Sequence, residues 1–276
     1  MNYKRILTIQ DISCVGQCSL TVALPILSAC GIETSVLPTA VLSTHTAGFT
    51  GYTFRDLTED IPAIRRHWQQ QNIEFSAIYS GYMASPKQVK YASNIFLSCC
   101  TYDCIKVADP AMGDNGKLYP NFNDEYVDEI KELCGVIDYV IPNITEACFM
   151  TNTEYKTEYD REYIEEMLKK VTLLGCPNVI LTGVSYREGK TGVVVYLDGD
   201  YSYYEHELLP NSCHGTGDIY ASAFVGALVR GKKPFEAAKI AADYTVECIK
   251  LTSQLDNHWY GAAFEPLLGK LIDVLG

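Results

Sequence analysis

The sequence predicts an α/β protein in which a mostly parallel sheet carries helices on both faces. Three observations support that reading. Apolar runs of strand length alternate with helix-period segments through most of the chain, polar and glycine residues gather directly behind the apolar runs, and the chain from Asp218 onward is mostly helical.

The elements follow in order. Residues 6–9 read as a first strand and 19–29 as the helix after it. Further strands are expected at 36–42, 77–82, 105–109 and 139–142, with amphipathic segments at 61–71, 86–97 and 124–134 between them. A later block at 179–182, 192–197 and 201–207 reads as strands, the last two joined by an Asp198-Gly199-Asp200 hairpin. Helices are expected at 219–229, 235–251 and 264–275. No repeat, low-complexity tract or linker interrupts this pattern, so one domain spanning residues 1–276 is expected.

Composition bounds the function. With 47% hydrophobic and 20% charged residues, a chain of 276 residues can bury a substantial core. A formal net charge of −12 weighs against a nucleic-acid surface, which needs a basic stripe. No apolar run is long enough to span a bilayer, and the start at Met1 leads into a strand without signal-peptide design. Eleven cysteines include one adjacent pair, Cys99-Cys100, but no CxxC motif and no Cys/His cluster. Thiols dispersed in apolar runs suit a reducing compartment, and a cytoplasmic location is expected.

In a parallel sheet of this kind, ligands bind beyond the carboxyl ends of the strands. The polar groups expected there are Gln10-Asp11, Thr44-His45-Thr46, Ser80-Gly81-Tyr82, Asp109 to Asp114, Asn143 to Glu146, and Thr182-Gly183. Gly215-Thr216-Gly217-Asp218 then opens a helix rich in small residues. Two glycines allow successive N–H groups to converge on an anion at a helix N-terminus, and an Asp beside them could take a proton from a hydroxyl. Read plainly, it is a helix start whose Asp complements the macrodipole. No GxxxxGK[ST] is present, which removes a Walker-type phosphate site. Asp109 and Asp114 bracket a Gly-containing loop suited to Mg²⁺ and phosphate, or to an ordinary Asp/Gly turn. Asn143 and Glu146 fit either a ligand rim or a helix cap. His45 could touch a substrate ring or be only a loop histidine.

Taken in order, these segments resemble the ribokinase-like superfamily and, within it, the vitamin B6 kinases. The likeness runs from Ile9-Gln10 through Leu42 to Thr46, Ser80-Gly81-Tyr82, Asp109 to Asp114, Pro142-Asn143 with Glu146, and Leu181-Thr182 to Gly215–Asp218. Each segment is weak alone; the ordered set is specific. The resemblance implies a three-layer α/β/α fold and ATP- and Mg²⁺-dependent phosphorylation of the hydroxymethyl group of pyridoxal, pyridoxine or pyridoxamine. By position, Asp218 would be the base, with the Gly215, Thr216 and Gly217 amides on the moving phosphoryl group. Asp11, His45, Thr46 and Tyr82 would line the substrate pocket. Asp114, Tyr119, Asn143 and Thr182 would meet ATP, while Glu146 and Asp109 would serve the metal. The resemblance also implies a homodimer and leaves a monovalent cation open.

Two departures matter. Vitamin B6 kinases carry Ser where Asp11 stands. The related hydroxymethylpyrimidine kinases of thiamine synthesis carry Asp there and, like this chain, His before the GTG loop, but usually Cys in place of Asp218. They also have a Gly-Gly-rich first loop, where this chain reads Ser13-Cys14-Val15-Gly16-Gln17. That activity is the alternative. A non-catalytic sensor of vitamers or nucleotides ranks below both, because Asp218, Asn143 and Glu146 are all present.

Overall fold

The computed structural model describes residues 3–210 and 213–276. In chain order the strands are β1 (Arg5–Ser13), β2 (Glu33–Leu42), β3 (Phe54–Asp56), β4 (Phe75–Ser80), β5 (Cys100–Ala108) and β6 (Gly113–Asp114). They continue as β7 (Lys117–Leu118), β8 (Tyr139–Val140), β9 (Asn178–Val184), β10 (Lys190–Leu197) and β11 (Asp200–Glu207). The helices are α1 (Leu20–Ala29), α2 (Ile61–Gln70), α3 (Pro86–Ser98), α4 (Asp124–Cys134) and α5 (Ile144–Thr151). After these come α6 (Arg161–Thr172), α7 (Thr216–Val229), α8 (Pro234–Thr252) and α9 (Leu268–Leu275).

A nine-stranded sheet has the order β11-β10-β9-β8-β5-β4-β1-β2-β3. Strands β9, β8, β5, β4, β1 and β2 run parallel, and β10, β11 and β3 add antiparallel edges. The parallel strands are covered on both faces, which is why they read as continuous apolar runs rather than alternating ones. On one face, Val22, Ile26, Phe224, Ala238 and Leu271 from α1, α7, α8 and α9 form a core with Ile6, Tyr79 and Ile180. On the other, Val89, Phe96, Ile130, Ala147 and Leu168 from α3 to α6 pack on Leu7, Ile78 and Leu181. This is the three-layer arrangement expected from the sequence.

The chain leaves β1 toward β2 and β3, then returns to place β4 on the other side of β1. The strand order reverses there, and the crevice beyond the carboxyl ends of the strands at such a point is where open α/β sheets bind ligands.

Local differences from the sequence reading cluster near that crevice. β1 runs to Ser13, so Gln10 and Asp11 lie inside it rather than beyond it. The register steps from Gln10↔Pro38 to Ile12↔Val41, so Asp11 alone faces Thr39 and Ala40 across a bulge whose extra residue lies in β2. β6 and β7 form a separate hairpin, and β3, α5 and α6 add to the expected elements. Residues 264–275 break into a 3₁₀ turn, Glu265–Leu267, followed by α9. The hairpin between β10 and β11 turns on Asp198 and Gly199, both at positive φ (48° and 92°), as a two-residue turn requires. Among the described residues no helix is long and apolar enough to cross a membrane, and all eleven cysteines are free.

Candidate active site

At the carboxyl end of β1, Asp11 is 4% exposed, and Ser13 Oγ donates to its Oδ2 at 3.1 Å. Burial raises its pKa, while the hydroxyls of Ser19 and Ser13 and the nearby His45 ring hold it back. Next to it, β4 ends in Ser80-Gly81-Tyr82. A β-carbon on Gly81 would meet Gln10 Cδ at 2.8 Å, so glycine there leaves room for the Gln10 side chain. Tyr82 leans on Phe122 with ring centroids 5.5 Å apart, and burial followed by the Asp11 charge pushes its hydroxyl up to about 12.

At the end of β5 the Asp109 amide donates to Ser80 O at 2.8 Å, and its Oδ1 accepts from Ala111 N at 3.1 Å. The chain then turns through Ala111 (φ 40°) into the β6–β7 hairpin, which carries Asp114 exposed at its tip. Asn143 and Glu146 anchor this hairpin. Asn143 Nδ2 donates to Gly113 O at 2.8 Å, and Glu146 Oε1 accepts from Met112 N at 2.9 Å. The same two residues form a capping box on α5, with Glu146 N donating to Asn143 Oδ1 (2.9 Å) and Asn143 N to Glu146 Oε2 (2.8 Å). The pair is thus a helix cap that also anchors the hairpin. Each Glu146 oxygen accepts one backbone N–H and keeps a lone pair.

α7 starts from Gly215 in the left-handed region, φ 78°, and places Asp218 in its first turn. Burial raises Asp218 to about 7; the Ser19 N–H lowers it, and the charges of Asp109 and Asp11 add to the rise. Burial also lifts Asp109 well above the carboxylate range, with Glu146 reinforcing the shift. Glu146 itself is pushed up to about 7 by burial, against the pull of its backbone donors. Asp11, Asp218, Asp109 and Glu146 therefore form one acidic rim, and among the described residues none of them has a Lys or Arg ion-pair partner. A carboxylate near pH 7 with part of its surface open is poised to accept a proton from an alcohol.

A second compartment adjoins this rim. Asp114, Asn143 and Thr182 line a cleft of about 290 Å³ together with Gly183, Tyr159 and Lys156. Thr182 is held there by its N–H to Pro142 O at 2.9 Å. Tyr119, 41% exposed, feels the rim: partial burial raises its hydroxyl, and the charges of Glu146, Asp109, Asp114 and Asp218 add to this. Three of the four residues expected to meet ATP thus share one cleft, and the fourth, Tyr119, is not among its lining residues.

His45 is placed differently from its neighbours. Its Nε2 bonds Tyr260 O at 2.7 Å and its Nδ1 accepts from Ala47 N at 3.2 Å, so both nitrogens are engaged and only the ring face remains. Thr46 is exposed on the same loop. Sequence reading missed the loop at 256–262, whose Tyr260 carbonyl also accepts from Gln17 N and whose Ala262 N–H bonds His214 O. It missed Ser19 and Lys156 as well; a single serine or lysine in a loop carries no periodic signal.

Comparison with known proteins agrees with this fold. A family model for phosphomethylpyrimidine kinase matches residues 27–262. A phosphomethylpyrimidine kinase-like protein of Bacteroides thetaiotaomicron VPI-5482 is 35% identical. It superposes with a TM-score of 0.94 over 98% of this chain and 94% of its own. Its orthorhombic form, crystallised with pyridoxal, gives 0.90 over 99% and 96%. The pyridoxal kinase PdxY of Granulibacter bethesdensis is 25% identical over 90% of each chain. The hydroxymethylpyrimidine/phosphomethylpyrimidine kinase of Aquifex aeolicus is 25% identical over 66% of this chain and 73% of its own.

Proposed function

The chain belongs to the phosphomethylpyrimidine kinase family of ribokinase-like phosphotransferases acting on an alcohol group, and we propose that it phosphorylates the hydroxymethyl group of vitamin B6 vitamers with ATP. The observation that carries this reading is the juxtaposition of Asp218, raised to about 7 in the first turn of α7, with the cleft of Asp114, Asn143 and Thr182. One compartment suits an aromatic alcohol against Tyr82 and the other a polyphosphate.

Asp218 takes the proton of the substrate hydroxyl as that oxygen attacks the terminal phosphorus. The backbone amides opening α7 receive the charge that builds on the phosphoryl oxygens. The β6–β7 hairpin, fixed by Asn143 and Glu146, positions Asp114 and Tyr119 over the phosphates. An acidic rim with no basic partner among the described residues is chemically matched to a hard divalent cation. Asp109 and Glu146 would offer oxygen donors to Mg²⁺, which would neutralise phosphate charge. Among the described residues no three acidic, His or Cys side chains converge into a cage by themselves, consistent with an ion shared with phosphates and water.

A second reading, kinase activity on hydroxymethylpyrimidine, is favoured by Asp11 and by His214 preceding the glycine loop. ATP turnover on pyridoxal, pyridoxine, pyridoxamine and hydroxymethylpyrimidine, measured side by side, decides between them. A higher kcat/KM for any B6 vitamer supports the first reading. A preference for the pyrimidine of more than about tenfold replaces it with the second.

A further inference from the structure

β5 carries surplus residues across one short step of its pairing with β4. Phe75 lies opposite Cys100 and Ala77 opposite Ile105, so Ser76 alone faces residues 101–104. The surplus buckles outward as a small loop. Tyr102 and Asp103 are exposed at its tip, and Cys100 and Cys104 are half-buried at its two feet. Phe75 N donates to Cys99 O at 2.9 Å, which fixes the first foot. Thr101 Oγ1 lies 3.3 Å from Phe75 O and 3.1 Å from Asp103 Oδ1, which folds the tip back on the strand.

On a regular strand, residues four apart are separated by about 13 Å, too far for their side chains to bond. Here two residues of β4, a rise of about 6.6 Å, cover the distance from Cys100 to Ile105, and Cys104 falls inside that span. A disulfide joins α-carbons about 4.4–6.8 Å apart. Both side chains also pack against the same core, the one built on α3 to α6, so the two thiols lie on one side of the sheet. The neighbouring Cys104 thiol lowers the pKa of Cys100 against the rise that burial causes, which favours Cys100 as the thiolate. Cys99, by contrast, is fully buried, with its Sγ 3.7 Å from Ser98 Oγ.

We propose that Cys100 and Cys104 form a dithiol modification site that closes to a disulfide by exchange with a low-molecular-weight disulfide and reopens when small thiols are in excess. The Cys100 thiolate attacks one sulfur of the small disulfide, giving a mixed disulfide and releasing one small thiolate. Cys104 gives its proton to solvent and attacks the Cys100 sulfur, releasing the second small thiolate. The protein loses two electrons and two protons, and the small disulfide is reduced to two thiols. The site stands at the start of β5, at the other end of the strand from Asp109, so it is separate from the acidic rim.

The test treats the folded, reduced full chain with oxidised glutathione, blocks the remaining thiols with N-ethylmaleimide and reads the tryptic peptide 91–106, which holds Cys99, Cys100 and Cys104. That peptide should be two hydrogens lighter and carry one maleimide, on Cys99; dithiothreitol before blocking should restore three. Cys104→Ser removes the second step, so glutathione on Cys100 should rise at least about tenfold over wild type. Cys99→Ser should close as wild type does. The exposed Cys14 reports that the reagent is active. Glutathione on Cys14 while all three thiols of the peptide stay reduced overturns the proposal. So does a bond between Cys99 and Cys100, failure of Cys99→Ser to close, or glutathione that persists on Cys100 in wild type.

Discussion

The α-carbon of Gly215 lies against the carbonyl of Gln17, so closely that a β-carbon would stand 1.8 Å from that oxygen. Residue 215 also sits at φ 78°, where a side chain is strained whatever the space. The loop after β1 and the start of α7 are therefore locked together through a missing side chain. Gly215→Ala should lower stability by about 2–4 kcal/mol and kcat by at least about a hundredfold. Gly217 has open space around it, so Gly217→Ala should leave stability within about 0.5 kcal/mol. Thermal melts and ATP turnover on both variants check the contrast; equal melting losses would show that the Gln17 contact does not set the geometry.

Asp218→Asn should separate activity from stability. Loss of the base should reduce kcat by about 10²–10⁴ while KM for ATP stays near wild type, because the backbone amides remain. Stability should move the other way. Asp218 titrates at about 7 in the folded protein against a reference of 3.8. The native state therefore holds this proton more tightly, and wild-type stability falls as pH climbs from about 4 through about 7. Asn carries no such penalty, so at pH 8 the variant should be the more stable by roughly 1–3 kcal/mol, below the ceiling a shift of this size sets. Denaturant curves at pH 5 and pH 8 measure it. A gap that does not widen with pH would mean that Asp218 is not held in an uncharged-favouring site.

Glu146 ties the loop before β6 to the start of α5. Its two oxygens accept from Met112 N and Asn143 N, and the residue is 3% exposed. Glu146→Ala should leave both donors unsatisfied, costing about 2–4 kcal/mol. It should also raise the Mg²⁺ concentration needed for half-maximal turnover, with excess Mg²⁺ restoring part of the rate. A melt shift with an unchanged Mg²⁺ titration would assign Glu146 to the capping box alone.

How far the sequence reached depends on the physical range of each signal. Buried parallel strands produce apolar runs and glycine-opened helices produce local punctuation, so the layers and α7 were legible. α6 was legible in principle, since Ile164, Met167, Leu168 and Val171 are spaced for one buried face. The bulge at Asp11 was not, because it arises from how β1 registers on β2. Nor was the fate of His45: its Nε2 partner, Tyr260 O, is 215 residues away, and a backbone carbonyl leaves no mark in the sequence. Ser19 was hidden for a related reason, because positive φ at a serine follows from packing and not from composition.

Asp11 sets the last expectation. It is buried beside Tyr82, whose hydroxyl it pushes upward, and among the described residues it has no ion-pair partner. A carboxylate there stabilises a protonated ring or an amine substituent through a charge-assisted hydrogen bond. Serine could donate to an unprotonated nitrogen but could not balance a cation. Asp11→Ser should therefore shift relative kcat/KM away from pyridoxamine and toward pyridoxal and pyridoxine. A shift of about tenfold, roughly 1.4 kcal/mol, is the size one such contact supplies. The variant also removes one acid from the rim that raises Asp218, so the base should titrate lower and turnover should persist to lower pH. Competition between pyridoxamine and pyridoxal on wild type and variant, run at pH 6 and pH 8, reads both effects. A fixed ratio at both values would place Asp11 outside the contact with the ring.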